Sequence, residues 1–227
     1  MLLFNDDIYR LKPCDLSCLD RQSVYVYLWK HHLSRHELTQ AASAVAPSLV
    51  SDETLKLTDK RFIEKLSIRL LFAKLLNVTA DAIAYHPSGR PYLKDFPYEI
   101  SVSHTAHVYA VSISKLRHGI DVEKWGSKAL NVAKMYVNEK ELGLLTSSSF
   151  SSKEVAATLI WSAKEAVYKY KDISGLSFSD SIIVQHDSES NNLLAHLPQR
   201  NETAYVNFKS TPDCILTCSC GVQFAIK

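Results

Sequence analysis

Asp121 and Glu123 stand one residue apart in the stretch RHGIDVEKW (117–125). In an extended segment, period two puts both carboxylates on one face. Two like charges there repel unless a cation lies between them. Hard oxygen donors suit Mg²⁺, which takes one or two carboxylates together with substrate phosphate oxygens and water. A D-x-E pair on a surface strand is also commonplace. In VAATLIWSAKEAVYKYK (155–171), Trp161, Glu165 and Lys169 follow i, i+4, i+8 and share one helix face. Alone, that Glu–Lys spacing is an ordinary ion pair worth about 0.2–0.5 kcal/mol. Ser103-His104 closes an alternating segment before a tight turn, where the imidazole is either a buried structural ring or a donor to phosphate. Gly89-Arg90-Pro91 is a rigid turn presenting a guanidinium, whose fork matches phosphate oxygens. Arg61, Lys65 and Arg69 step by four along one face, as a cationic stripe or as solvated charge.

The elements that must position these groups are legible from periodicity. SVYVYLW (23–29) is rich in strand formers, and residues 31–50 read as a polar, then alanine-rich helix. His32 and His36, spaced i, i+4 there, lack an HExxH pattern and read as a solvated helix face. DKRFIEKLSIRLLFAKLLN (59–77) keeps Phe62, Leu66, Leu70 or Ala73, and Leu76 at helical spacing. HPSGRPYLKDFP (86–97) is turn-rich. EISVSHT (99–105) and VYAVSIS (108–114) are strands joined through Thr105-Ala106-His107, and residues 117–125 form a third. Residues 127–146 are expected to be helical, TSSSFSSK (146–153) to be a loop ending in an N-cap, and 176–226 to hold several strands. On the 155–171 helix, Ala156, Ile160, Ala163 and Val167 form the face expected to pack on a sheet. Each half thus has a long amphipathic helix followed by about three strands, which suggests two similar subdomains meeting near residue 115.

The 227-residue length allows one large domain or two small ones, and 46% hydrophobic with 22% charged residues is ordinary for a globular protein. A net charge of +2 with a pI near 8.2 argues against a nucleic-acid binder. No apolar run approaches a membrane span. The opening MLLFNDDIYR carries two acids where a signal peptide has basic residues, so a cytoplasmic protein without membrane attachment is expected. Cys14, Cys18, Cys214, Cys218 and Cys220 sit near the two ends. Zinc is one reading of them, but Cys214, Leu216, Cys218 and Cys220 alternate as one face of a buried strand, which is preferred.

Four ordered stretches carry a resemblance: GRPYL (89–93), SVSHT (101–105), GIDVE (119–123) and WSAKEAVYK (161–169). Together they resemble the 4′-phosphopantetheinyl transferase superfamily, in its two-subdomain, surfactin-synthetase-activating type, over about residues 55–175. The pattern of elements indicates an α+β fold with antiparallel sheets. The resemblance implies two pseudo-symmetric α+β subdomains, residues 1–115 and 116–227, with the active site in the cleft between them and no need of a dimer. It implies a transferase that moves the phosphopantetheine arm of coenzyme A to a serine of an acyl or peptidyl carrier protein, and releases adenosine 3′,5′-bisphosphate. By resemblance, Asp121, Glu123 and Glu165 are the Mg²⁺ carboxylates, with Mn²⁺ as an alternative ion. The resemblance also implies that Glu165 deprotonates the incoming serine, directly or through a metal-bound water, and that Lys169 stabilises or protonates the leaving bisphosphate. Arg90, Ser103 and His104 contact the phosphates of coenzyme A, and Arg61 lies near its adenine nucleotide. Lys164 joins these contacts or supports the helix. A Mg²⁺-dependent phosphodiesterase or nuclease, and a non-catalytic binding protein, are the competing readings of the residues alone.

Overall fold

Strand formers at alternate positions and two long helices generate two five-stranded sheets with helices outside them, beside a two-stranded sheet. The computed structural model describes residues 3–4, 8, 12–15, 17, 19–147, 150–173, 175–187, 190 and 192–227. The strands are β1 (Leu3–Phe4), β2 (Ser23–Lys30), β3 (Ile83–Tyr85), β4 (Pro91–Leu93), β5 (Glu99–Thr105), β6 (Val108–Ser114), β7 (His118–Lys124), β8 (Ile183–Asp187), β9 (Asn192–Leu197), β10 (Glu202–Ser210), β11 (Cys214–Cys220) and β12 (Ala225–Ile226). The helices are α1 (Arg35–Val45), α2 (Asp52–Leu55), α3 (Asp59–Leu76), α4 (Lys128–Asn131), α5 (Leu142–Leu145) and α6 (Lys153–Lys171).

One sheet runs β1-β2-β6-β5, with β12 also on β2; the other runs β7-β11-β10-β9-β8. The fold is α+β. The larger ladders are antiparallel as expected, but β1 and β12 both join β2 in parallel. The last strand therefore returns to the sheet built by the first half of the chain.

Alternation sorts the side chains into layers. On β2, Tyr27 and Trp29 face a core shared with α1 and α3, whereas Val24, Val26 and Leu28 face the second sheet. There they meet Ile120 and Val122 of β7 and Cys214, Leu216, Cys218 and Cys220 of β11. The alternating cysteine face is thus an inter-sheet core, and burial raises the three thiols. Cys14 lies elsewhere, against the α1–α3 core; Cys18 is outside the described residues. The far face of the second sheet packs on α6 through Leu159, Ala163 and Val167. Among the described residues no helix is long and apolar enough to cross a membrane.

Strand β7 and helix α6 lie unusually close. A Cβ on Gly119 would sit 2.2 Å from the Ala166 carbonyl oxygen and 2.4 Å from the Tyr170 nitrogen. Only glycine admits that approach of backbone to backbone, and it brings α6 over the D-x-E strand.

Residues 127–146 do not form one helix. They divide into α4, two 3₁₀ turns and α5. Asn138 starts the second part with a capping box closed by Glu141. The interruption has a tertiary cause: the Tyr136 carbonyl and the Glu141 carboxylate both turn inward to Lys164. Helix α1 also begins later than expected, at Arg35 behind the Ser34 cap. His32 is therefore not on the helix that carries His36, and its ring lies 4.1 Å from that of His107.

Candidate active site

The facing edges of the two sheets, β5 and β7, together with the outer face of α6, bring the predicted residues of three segments to one place. Asp121 is 4% exposed. Its Oδ1 accepts hydrogen bonds from Ser103 Oγ at 2.9 Å and Lys169 Nζ at 2.8 Å. Its Oδ2 is buried with no partner among the described residues. A buried carboxylate oxygen without a donor is costly unless a cation or proton meets it.

Glu123 lies on the same face of β7, as period two requires. Trp161 Nε1 donates to its Oε1 at 2.9 Å. Burial pushes its carboxyl up, Asp121 adds to the rise, and the Trp161 hydrogen bond opposes it. Glu165 behaves alike: burial raises its carboxyl, Lys169 counteracts, and Asp121 and Glu123 push it further up. The i, i+4 step does place Glu165 and Lys169 on the face toward β7. Among the described residues no three carboxylate, histidine or cysteine side chains already converge as a metal-ligand cluster. The donor set still fits a hard divalent cation: three mutually repelling carboxylates and one orphaned buried oxygen.

Lys169 donates to Asp121, to Ser103 Oγ at 3.1 Å and to the Ile120 carbonyl at 3.1 Å. Ser103 is 6% exposed. Its proton goes to Asp121, while Val122 N at 3.2 Å and Lys169 donate to its oxygen. In this arrangement Ser103 serves the carboxylate, and it keeps no proton for a phosphate.

Of the two places expected for Lys164, among the coenzyme A contacts or in support of the helix, the structure shows the second. It is solvent-excluded, and Nζ donates to the Tyr136 carbonyl at 2.7 Å, Glu141 Oε2 at 2.7 Å and the Phe178 carbonyl at 2.6 Å. An ammonium has three protons, so none remains for a ligand. One residue along the helix decides this, since a step of about 100° carries Lys164 away from the face that holds Glu165.

The cationic stripe is likewise redistributed. Arg61 is 73% exposed and pairs with Glu64 at 3.3 Å. Its neighbour Lys60, which the sequence reading passed over, lines a cavity of about 710 Å³ with Glu64, His104, Tyr109 and Glu123. Lys60 is thus the cation of the first turn that lines this cavity, and Arg61 is not among its lining residues. Arg69 is held by Thr54 at 2.7 Å. His104 is partly exposed, with Nε2 3.8 Å from Glu64. Burial holds its imidazole below the usual range, against the upward pull of Glu64. Arg90 pairs with Glu99 at 2.5 Å and lines a second cavity, of about 180 Å³, with Tyr168 and Lys169. Glu123 is shared with a third, of about 440 Å³, walled by Trp125, Val132 and Trp161. Thus Lys169 borders one cavity and Glu123 the other two. Both tryptophans of that third wall carried a signal in the sequence, since Trp161 opens the last motif and Trp125 lies two residues beyond GIDVE. A shallow groove of about 750 Å³ against β2 and β12 contains none of these residues.

Residues 117–218 match the family model of the 4′-phosphopantetheinyl transferase superfamily. The chain carries a domain of that superfamily. A search among curated proteins finds no match. The superfamily domain holds Asp121, Glu123, Glu165 and Lys169, and also the structural Lys164. Arg90, Ser103 and His104 precede it and reach the same site through β5 and the turn before it. Phosphopantetheinyl transfer is the general chemistry that the domain supports.

Proposed function

We propose that the protein transfers the 4′-phosphopantetheine group of coenzyme A to a serine of an apo acyl or peptidyl carrier protein. The co-product is adenosine 3′,5′-bisphosphate, and the reaction is Mg²⁺-dependent. The observation that carries this reading is the meeting of Asp121, with its unpartnered buried oxygen, with Ser103 and Lys169 beside two raised carboxyls. Asp121, Glu123 and Glu165 would hold the metal, whose chemistry is to neutralise charge on the pyrophosphate as its bond breaks.

In this reading the serine oxygen attacks the phosphorus nearer the pantetheine arm, and the bond from that phosphorus to the bisphosphate breaks. The serine proton passes to Glu165. Burial and neighbouring charge raise that carboxyl, which brings its basicity closer to that of a working general base. Lys169, exchanging one of its present hydrogen bonds to Asp121, Ser103 or Ile120, stabilises or protonates the departing bisphosphate oxygen. His104, Lys60 and Arg90 meet the phosphates of coenzyme A from the two cavities they line. A division near residue 115 and a monomeric, cytoplasmic protein belong to the same proposal.

Intact-protein mass spectrometry tests it. The chain, apo acyl carrier protein, coenzyme A and Mg²⁺ are incubated together, with EDTA and Glu165→Gln as controls. The expected result is a carrier heavier by one phosphopantetheine, no gain with EDTA, and a rate lower by about 10²–10⁴ with Glu165→Gln. A chain that neither modifies a carrier nor binds coenzyme A overturns the reading.

A further inference from the structure

Strands β5 and β7 end the backbone ladders of their respective sheets and face one another. Each edge leaves alternate N–H groups without a strand partner, and a buried N–H must find an acceptor. Here the acceptors are side chains. Ser101, Ser103 and Thr105 occupy alternate positions of β5, so their hydroxyls leave the strand in one direction. They accept from Ile120 N at 3.0 Å, Val122 N at 3.2 Å and Lys124 N at 3.3 Å. A hydroxyl ladder joins the two sheets where a backbone ladder would otherwise run.

Two rungs of that ladder do a second job. Ser103 accepts from the amide that follows Asp121 and donates to the Asp121 carboxylate. Thr105 accepts from the amide that follows Glu123, and its Oγ1 lies 3.5 Å from Glu123 Oε2. The unit repeats two residues on. Glu123 is then gripped at both oxygens, by Trp161 on Oε1 and by Thr105 on Oε2. We propose that Thr105 is a positioning residue for Glu123, acting along this seam as Ser103 acts for Asp121. Its catalytic consequence rests on the transferase reading; its structural content does not.

The test uses Thr105→Val, which keeps the shape and removes the hydroxyl, and Thr105→Ser, which restores it. Three readouts are taken on the full chain. In Thr105→Val, the Lys124 amide exchanges with solvent about tenfold faster than in the parent. The Trp161 indole N–H resonance shifts as Glu123 is released. The turnover number for phosphopantetheinyl transfer falls about tenfold, with the KM for coenzyme A within about twofold. Thr105→Ser returns all three toward the parent. Unchanged Lys124 exchange and an unmoved Trp161 resonance in Thr105→Val overturn the proposal. Failure of Thr105→Ser to restore them overturns it too, since the effect would then belong to packing. If the parent chain transfers nothing, the transferase reading fails, and exchange and resonance alone decide the seam.

Discussion

Two charged clusters flank helix α6, five residues apart in sequence, and they differ in how completely their polar atoms are partnered. At Lys164 the account closes. Its three protons reach Tyr136, Glu141 and Phe178, while Glu141 accepts in addition from Asn138 N and Val184 N, both at 2.6 Å. At Lys169 the three protons are likewise taken, by Asp121, Ser103 and Ile120, but the carboxylate side stays open. The lysine side chain is 28% exposed, Asp121 Oδ2 is unpartnered, and Glu123 and Glu165 are both raised. A sealed and satisfied ion pair is architecture: it ties α6 to the broken segment before it and to the loop and strand β8 after it. A cluster left short of positive charge can receive a ligand. Lysine, glutamate and buried carbonyls occur in both, so residue type alone does not separate them.

The comparison breaks most readily at the sealed pair. Lys164→Met leaves Glu141 buried without its cation and is expected to cost about 3–5 kcal/mol of stability, read from urea unfolding. A protein that loses transfer activity but keeps its unfolding midpoint would make Lys164 part of the site.

Acid acts next, outside both clusters, at two buried histidines. His118 is fully buried, with Nδ1 donating to the Leu116 carbonyl at 2.8 Å and Nε2 2.7 Å from Ser112 Oγ. Burial lowers its pKa to about 4, and that of His31 likewise to about 4. Unfolding raises each toward its ordinary value, so between about pH 6.5 and 4 the unfolded chain binds more protons and stability falls as pH falls. For His118 the contribution is on the order of 3 kcal/mol, present above the unfolded pKa and gone below the folded one. His118→Gln should flatten this slope in a pH series of unfolding midpoints. An unchanged slope would put the acid sensitivity elsewhere.

The smallest effect has the opposite sign and belongs to the open cluster. The Glu165 carboxyl is raised by burial, with Asp121 and Glu123 adding to it. A raised carboxyl favours the fold below the unfolded pKa, and that contribution is lost as pH rises through the folded pKa. At neutral pH the raised carboxyl therefore destabilises the fold, and Glu165→Gln should melt at a higher temperature than the parent. The gap should close below about pH 4, where the parent carboxyl is protonated in both states. Melting curves at neutral and acid pH, without divalent cation, decide it; a lower melting temperature at neutral pH would mean that Glu165 is structurally partnered.

Much of this arrangement was legible in the chain. Helix α3 appears at residues 59–76 because Phe62, Leu66, Leu70 and Leu76 keep one apolar face, and β5 and β6 fall on the expected residues because their side chains alternate. Period two placed Asp121 beside Glu123, and the i, i+4 step placed Glu165 with Lys169, since these follow from backbone geometry alone. The resemblance of four short motifs pointed to a transferase domain that the match over residues 117–218 then bore out at the level of the superfamily.

What the tertiary structure decided is which of the available partners each polar group takes. Residues 127–146 have helical composition, yet Lys164, beyond the far end of that segment, draws its carbonyl and carboxylate inward and breaks it. Lys164 and Glu165 are neighbours in sequence, but the turn of the helix sends one to a sealed core and the other to the site. The Ser103 hydroxyl reads as a phosphate contact until β7 arrives beside it with a carboxylate and an unpaired amide. Local periodicity fixes the direction in which a side chain leaves the backbone. What it meets there depends on segments brought together by the long-range packing of two sheets and a helix, and no local pattern encodes that meeting.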